Sequence, residues 1–343
     1  MTGLGRRRFL AGSAALVATH ASAQDDAIRD AAGRRVPIPT RVERVFPAGP
    51  PAAILVYTLA PDLLLGWTNA RPPEEREFLL PEIAARPAVG RVTGRGNTAN
   101  LETVLALKPD LILDVGSTGD TYVSLADRMQ AQTGIPYALL DGSLAGSAET
   151  YRTLGRLLWR EADAEALAGY AASILERVGG RVASVPPDRR ARVYLARGPR
   201  GLETGCGGSI NVESLDLLGA INVAGETRGG LANVSVEQVL TWSPDAIVTT
   251  DAGFARSARS DPGWSSLPAV PAGRLHLAPS LPFGWIDSPP SVNRLIGLLW
   301  LGRILYPDRF PEDVAAETRA FYERMYRVAP SPEQVARVLA APG

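Results

Sequence analysis

The 343-residue sequence predicts an α/β protein made of two Rossmann-like lobes with mainly parallel sheets, joined by one long α-helix. Three observations predict it. The first is an internal echo. Asn100-Leu101-Glu102-Thr103-Val104-Leu105 is followed, after two residues, by Lys108-Pro109-Asp110-Leu111-Ile112. Ser235-Val236-Glu237-Gln238-Val239-Leu240 is followed at the same spacing by Ser243-Pro244-Asp245-Ala246-Ile247. The second is a proline-free stretch between the copies, from Ser147 to Val185, with apolar residues at helical spacing. The third is the alternation of β-rich apolar runs with helical ones, which implies parallel strands covered by helices on both faces.

Residues 1–23 read as a signal peptide rather than a fold element. Arg6, Arg7 and Arg8 precede Phe9-Leu10, then an apolar run of residues 11–18 that is too short to cross a bilayer, then Ala21-Ser22-Ala23. Arg-Arg-x-Phe-Leu matches the core of a twin-arginine signal, with general secretory export as the alternative. Cleavage is expected near Ala23 and the mature chain in the periplasm. No Cys stands at the cleavage site, so no lipid anchor is expected. The leader carries three Arg and no acid, so its loss leaves a slightly acidic chain, which argues against nucleic-acid binding. Cys206 is the only cysteine, and no internal disulfide can form. Lys108 is the only lysine; the bias toward Arg makes arginine abundance weak evidence for an anion site.

The first lobe is expected over residues 24–146. Its strands are predicted at residues 42–46, 63–67, 111–115 and 137–140, and its helices at 51–59 and 122–132, with the echoed helix capped by Asn100. Residues 147–186 are predicted as a single connecting helix. Tyr151, Leu154, Leu158, Leu167, Tyr170, Ile174 and Val178 form its apolar stripe, and Pro186-Pro187 ends it. The second lobe is expected over residues 187–343, with strands at 191–196, 246–250 and 274–277 and helices at 212–218 and after Ser235. Three closing helices start near Pro289, Pro311 and Pro332. The longest apolar stretch outside the leader, residues 295–305, is interrupted by Arg303 and is too short for a membrane helix.

With Asp30-Ala31-Ala32-Gly33, Val42-Glu43-Arg44-Val45 and the two echoed segments, the chain resembles the periplasmic binding proteins for iron-siderophore, haem and cobalamin uptake. That is class III of such receptors, with a helical backbone between the lobes, and the resemblance covers about residues 30–326. Residues 197–211 and 282–294 resemble a subgroup of mostly iron-complex binders, some of whose relatives take oxyanions such as molybdate. The resemblance implies the substrate-binding component of an ABC importer, a monomer without catalytic activity or cofactor, whose partners are a small ligand and an ABC permease dimer in the inner membrane. It also implies permease-docking carboxylates. Glu82 in Leu80-Pro81-Glu82-Ile83 matches on the first lobe. On the second, Asp216 stands where Glu is usual, with Glu213 one turn earlier.

Ligand residues are expected on loops at the carboxyl ends of the strands. Trp285 and Arg197 lead, followed by Trp67 and Arg95, then Asp287 and Tyr122. Trp offers flat apolar area suited to a macrocycle or catechol, and Arg a forked charge for carboxylates, catecholates or oxyanions. Each has a structural alternative: a Trp beside Gly also serves as a core plug, and Arg197 also suits a loop brace. Arg294 is expected to pack or cap locally. Side-chain metal ligation is not expected, because His276 is the only histidine beyond the leader and Cys206 is alone. The expected ligand is therefore a metal chelate, with an oxyanion (molybdate or tungstate) as alternative. From a different class, Gly94-Arg95-Gly96-Asn97-Thr98-Ala99 followed by Asp114 is a weak dinucleotide fingerprint, which would make the chain an exported NAD(P)-dependent oxidoreductase.

Overall fold

The computed structural model describes residues 27–94, 96–227 and 229–340. The expected leader and Arg95 lie outside the described residues.

Each lobe is built on a parallel sheet. In the first, the strand order is Val45–Pro47, Leu111–Gly116, Tyr137–Asp141. In the second it is Leu275–Leu277, Ala246–Thr249, Arg192–Ala196, Ile221–Asn222. The central strands are buried along nearly their whole length, as expected when helices cover both faces of a sheet. Two antiparallel pairs, Ala27–Arg29 with Arg35–Pro37 and Glu203–Gly205 with Leu231–Asn233, lie outside these sheets.

The internal echo is a structural repeat. Asn100 caps the helix Leu101–Leu107 by accepting from the Thr103 amide, and Ser235 caps Val236–Trp242 by accepting from the Gln238 amide. Both helices end on a left-handed residue, Lys108 and Ser243, each at φ 46°. The aspartate that follows ties the unit to a neighbouring strand. Asp110 accepts from the amides of Glu43 and Arg44 at 2.8 and 2.9 Å, and the Arg44 guanidinium returns to the Leu107 carbonyl at 2.7 Å. Asp245 accepts from the Arg192 amide at 2.9 Å, and Arg192 returns to the Trp242 carbonyl at 2.8 Å. Arg44-Val45-Phe46 and Arg192-Val193-Tyr194 therefore belong to the repeat as well.

Three expected elements differ. The connecting helix is two helices, Ser147–Leu158 and Glu161–Val182, and only the second is the long link between the lobes. Trp159 is left-handed at φ 57°, and its indole N–H donates to the Pro39 carbonyl at 3.0 Å, which fixes the break. Gly155 lets the two helices approach, because a Cβ there would stand 2.4 Å from the Ala164 Cβ. Residues 63–67 are not a continuous strand. They hold the end of a 3-10 turn at Leu63 and isolated bridges at Leu64 and Trp67. The first closing helix begins at Arg294, several residues beyond Pro289.

The main core runs through both lobes. At its centre Tyr57, Trp67, Phe283, Tyr322 and Tyr326 pack as an aromatic cluster, with the Tyr57 and Trp67 rings 5.5 Å apart and Phe283 and Tyr326 5.4 Å apart. The end of the chain returns to the first lobe. The Tyr57 hydroxyl donates to the Tyr326 carbonyl at 2.7 Å, Arg327 donates to the Leu59 carbonyl at 3.0 Å, and Arg337 pairs with Glu77. The closing segment, expected wholly in the second lobe, thus also completes the core of the first.

Candidate functional site

The carboxyl ends of the two sheets face one another across a cleft. Two adjoining cavities occupy it, of about 500 Å³ and about 820 Å³, and both are lined by Gly116, Ser117, Tyr122, Ile210, Asn211 and Leu231. Gly116 closes the strand Leu111–Gly116 and Tyr122 lies in the first turn of the helix Asp120–Thr133, so the first lobe contributes a strand end and a helix N-terminus. Ile210 and Asn211 follow the strand Glu203–Gly205 of the second lobe.

The smaller cavity adds Arg91, Thr93, Gly94, Arg197, Asp287 and Ser288. Arg197 is held on two sides. Its Nε donates to Asp287 Oδ2 at 2.5 Å, and its Nη1 pairs with Glu203. Asp287 is fully buried and also accepts from Asn211 Nδ2 at 2.7 Å. Arg197 is thereby fixed at the edge of the smaller cavity, which it lines. Asp114, on the opposite wall, accepts from the Thr93 hydroxyl at 3.0 Å, the Tyr137 hydroxyl at 3.2 Å and the Val115 amide at 2.9 Å. Burial pushes its carboxyl above the usual range, and those bonds only partly offset the shift. The larger cavity is lined on its far side by Asp141, Glu213 and Asp216.

The structure brings Arg197, Asp287 and Tyr122 together at the cleft. Trp67 and Trp285 are elsewhere. Trp67 is buried, donates its indole N–H to the Ile83 carbonyl at 2.8 Å, and has the Arg71 guanidinium 5.2 Å from its ring centre. Trp285 is fully buried, and its carbonyl lies only 1.8 Å from where a Cβ on Gly297 would stand, so it is wedged against the first closing helix. Both are core plugs. Glu82 is exposed in the first turn of Pro81–Ala84, and Asp216 is exposed on Glu213–Leu217. Glu213 is engaged within the protein: it accepts from the Leu144 amide at 2.7 Å and from Arg294 at 3.0 Å. Arg91 and Thr93 lie in the loop of residues 91–96, which stands out in the sequence as a candidate binding loop, and Asn211 ends the segment 197–211, but sequence alone names none of the three as a ligand residue and does not single out Ser117. Arg91, Thr93 and Ser117 each adjoin a glycine, at Gly90, Gly94 and Gly116, in loops that follow or precede predicted elements.

The dinucleotide reading has no structural support. Residues 97–100 after the glycines are not helical, and Asp114 is turned into the protein rather than toward a ribose. His276 lies half-buried in Leu275–Leu277, where burial lowers its pKa, and Cys206 is buried. Among the described residues no group of three or more His, Cys, Asp or Glu side chains is placed to hold a metal ion.

Residues 57–281 match the model of the periplasmic binding protein family. The chain belongs to that family. It is a substrate-binding protein of an ABC transporter, not an enzyme, and its α/β lobes are those of the class III receptors. The molybdate-binding protein MolA of Haemophilus influenzae is 26% identical over 272 residues, covering 70% of this chain and 74% of MolA. An ABC transporter solute binding protein from Sulfurospirillum deleyianum superposes with a TM-score of 0.83 at 29% identity, covering 92% of this chain and 99% of the other. The vitamin B12 binding protein BtuF of Vibrio cholerae shares the fold, with a TM-score of 0.60 at 22% identity over 77% of this chain and 96% of BtuF. Among the described residues of this periplasmic binding protein, no helix is long and apolar enough to cross a membrane.

Proposed function

We propose that this receptor captures a tetrahedral oxyanion of the molybdate or tungstate class in the cleft and delivers it to an ABC permease. The observation that carries the reading is the chemistry of the cleft wall. Arginine, hydroxyl and amide groups line it at Arg91, Thr93, Ser117, Arg197 and Asn211, while both tryptophans that would favour a flat chelate are in the core. The helices Pro50–Leu59 and Asp120–Thr133 point their N-termini at the same space, where the helix dipole favours an anion. MolA, named for molybdate, is a relative over most of both chains. Export through the twin-arginine leader and docking through Glu82 and Asp216, exposed on opposite lobes, complete the proposal.

A second reading, a compact anionic metal chelate, is favoured by volume. Cavities of about 500 and 820 Å³ exceed what one tetrahedral oxyanion fills. Isothermal titration calorimetry separates the two. Saturable binding of molybdate or tungstate, with sulfate at least about tenfold weaker (roughly 1.4 kcal/mol), is the expected result. Heat with a ferric siderophore or cobalamin, and none with any oxyanion, would replace the first reading by the second.

A further inference from the structure

Beneath the cleft, one buried ion pair touches both lobes. Arg294 opens the first closing helix and is fully buried. Its Nη2 donates to the Gly142 carbonyl at 2.8 Å, in the first lobe. Its Nη1 donates to the Ile210 carbonyl at 2.8 Å and to Glu213 Oε2 at 3.0 Å, in the second. Glu213 reaches back across the gap and accepts from the amides of Leu144 and Ala145 at 2.7 and 3.1 Å. Those amides lie just before the helix Ser147–Leu158, so the carboxylate also occupies a favourable place for negative charge.

The node sits under the parts of the cleft that face each other. A Cβ on Gly142 would stand 2.5 Å from the Gly116 Cα and 3.1 Å from the Ile210 Cδ1. Gly116 and Ile210 line both cavities, one from each lobe. Opening the cleft here requires parting Gly142 from Arg294 or Leu144 from Glu213. A buried ion pair adds little net stability over apolar packing of the same shape, but removing one partner strands the other charge and is strongly unfavourable. Such a pair suits a register device better than a source of stability.

We infer that Arg294 and Glu213 are positioning residues, a hinge pin that sets the resting separation of the two lobes and hence the spacing of the ligand-facing loops at Gly116 and Ile210. The inference does not depend on which ligand is bound. It frees Glu213 from the docking role that its position on the helix suggested, and leaves Asp216 alone for that task on the second lobe.

The test uses the full mature chain with Cys206→Ala and nitroxides at Gln132→Cys and Arg256→Cys, exposed sites on opposite lobes. Electron–electron resonance then reads the lobe separation without any ligand. With Glu213→Gln and with Arg294→Lys, the distance distribution is expected to broaden and shift relative to the parent. A lowered melting temperature with an unchanged distribution would overturn the inference, because a merely structural pair moves stability alone. Hydrogen exchange on the unaltered protein guards against variants that fail to fold. The Leu144 and Ala145 amides should exchange as slowly as those of Tyr137–Asp141, and exchange at the rate of an open loop would equally overturn it.

Discussion

At the scale of single residues, the site separates charges that sequence can name but not pair from aromatics that it cannot place. Arg197 and Asp287 were both legible as ligand candidates because each follows a strand and carries chemistry a ligand needs. Their mutual contact at 2.5 Å was not legible, since 90 positions separate them and only tertiary structure joins them. Trp67 and Trp285 looked alike in sequence, each next to a glycine in a loop, yet both fill the core. A Trp beside Gly has the same local pattern whether its ring faces solvent or packing, so neighbours distant in sequence decide. His276 offers a test at this scale. Burial lowers its pKa below the ordinary 6.5, so the folded state prefers the neutral ring. The stability this confers is present above the unfolded value and is lost as pH falls through the folded one. Melting temperatures of the parent and His276→Asn should therefore run parallel above about pH 6.5 and diverge below it, with the parent falling faster. Parallel curves down to the carboxylate range would show that the histidine is equally solvated in both states.

At the scale of elements, caps were readable and breaks were not. Asn100 and Ser235 announce their helices because a short polar side chain before an apolar run has few other uses, and both caps form as expected. The break at Trp159-Arg160 carries no such mark. Both residues tolerate a helix, and the left-handed turn is held by a bond from the indole to Pro39 and by the fit of Gly155 against Ala164. Adding one methyl there should show how much that fit matters. Gly155→Ala places a Cβ 2.4 Å from the Ala164 Cβ and is expected to destabilise the fold by about 1–3 kcal/mol, even though alanine is the better helix former. Urea unfolding measures it; a neutral or stabilising result would mean that the two helices part without cost. The short run at residues 63–67 departs from the expected strand for a related reason. Its apolar residues suit a strand, but Pro61 and Asp62 start a 3-10 turn that consumes the first of them.

At the scale of the whole molecule, the two-lobed α/β plan was legible because the repeat and the long apolar stripe are both global patterns. What was not legible was how the lobes are bound together, which depends on contacts between residues far apart in the chain. If Glu82 and Asp216 dock the permease, Glu82→Arg and Asp216→Arg should each lower transport in a reconstituted importer, and Glu82→Arg, which lies outside both cavities, should leave ligand affinity within about twofold, since such charges govern association and register. Unchanged transport in both variants would assign docking to other surfaces. The return of the closing segment to Tyr57 and Glu77 has a consequence for how the protein is made. The core of the first lobe includes Tyr322 and Tyr326, and Tyr326 is added to the chain 269 positions after its partner Tyr57. An N-terminal half emerging alone has an open seam where those rings belong, so native packing cannot be completed domain by domain during synthesis. The first lobe therefore reaches its finished packing only after the segment that carries Tyr322 and Tyr326 has been made and has folded back onto it.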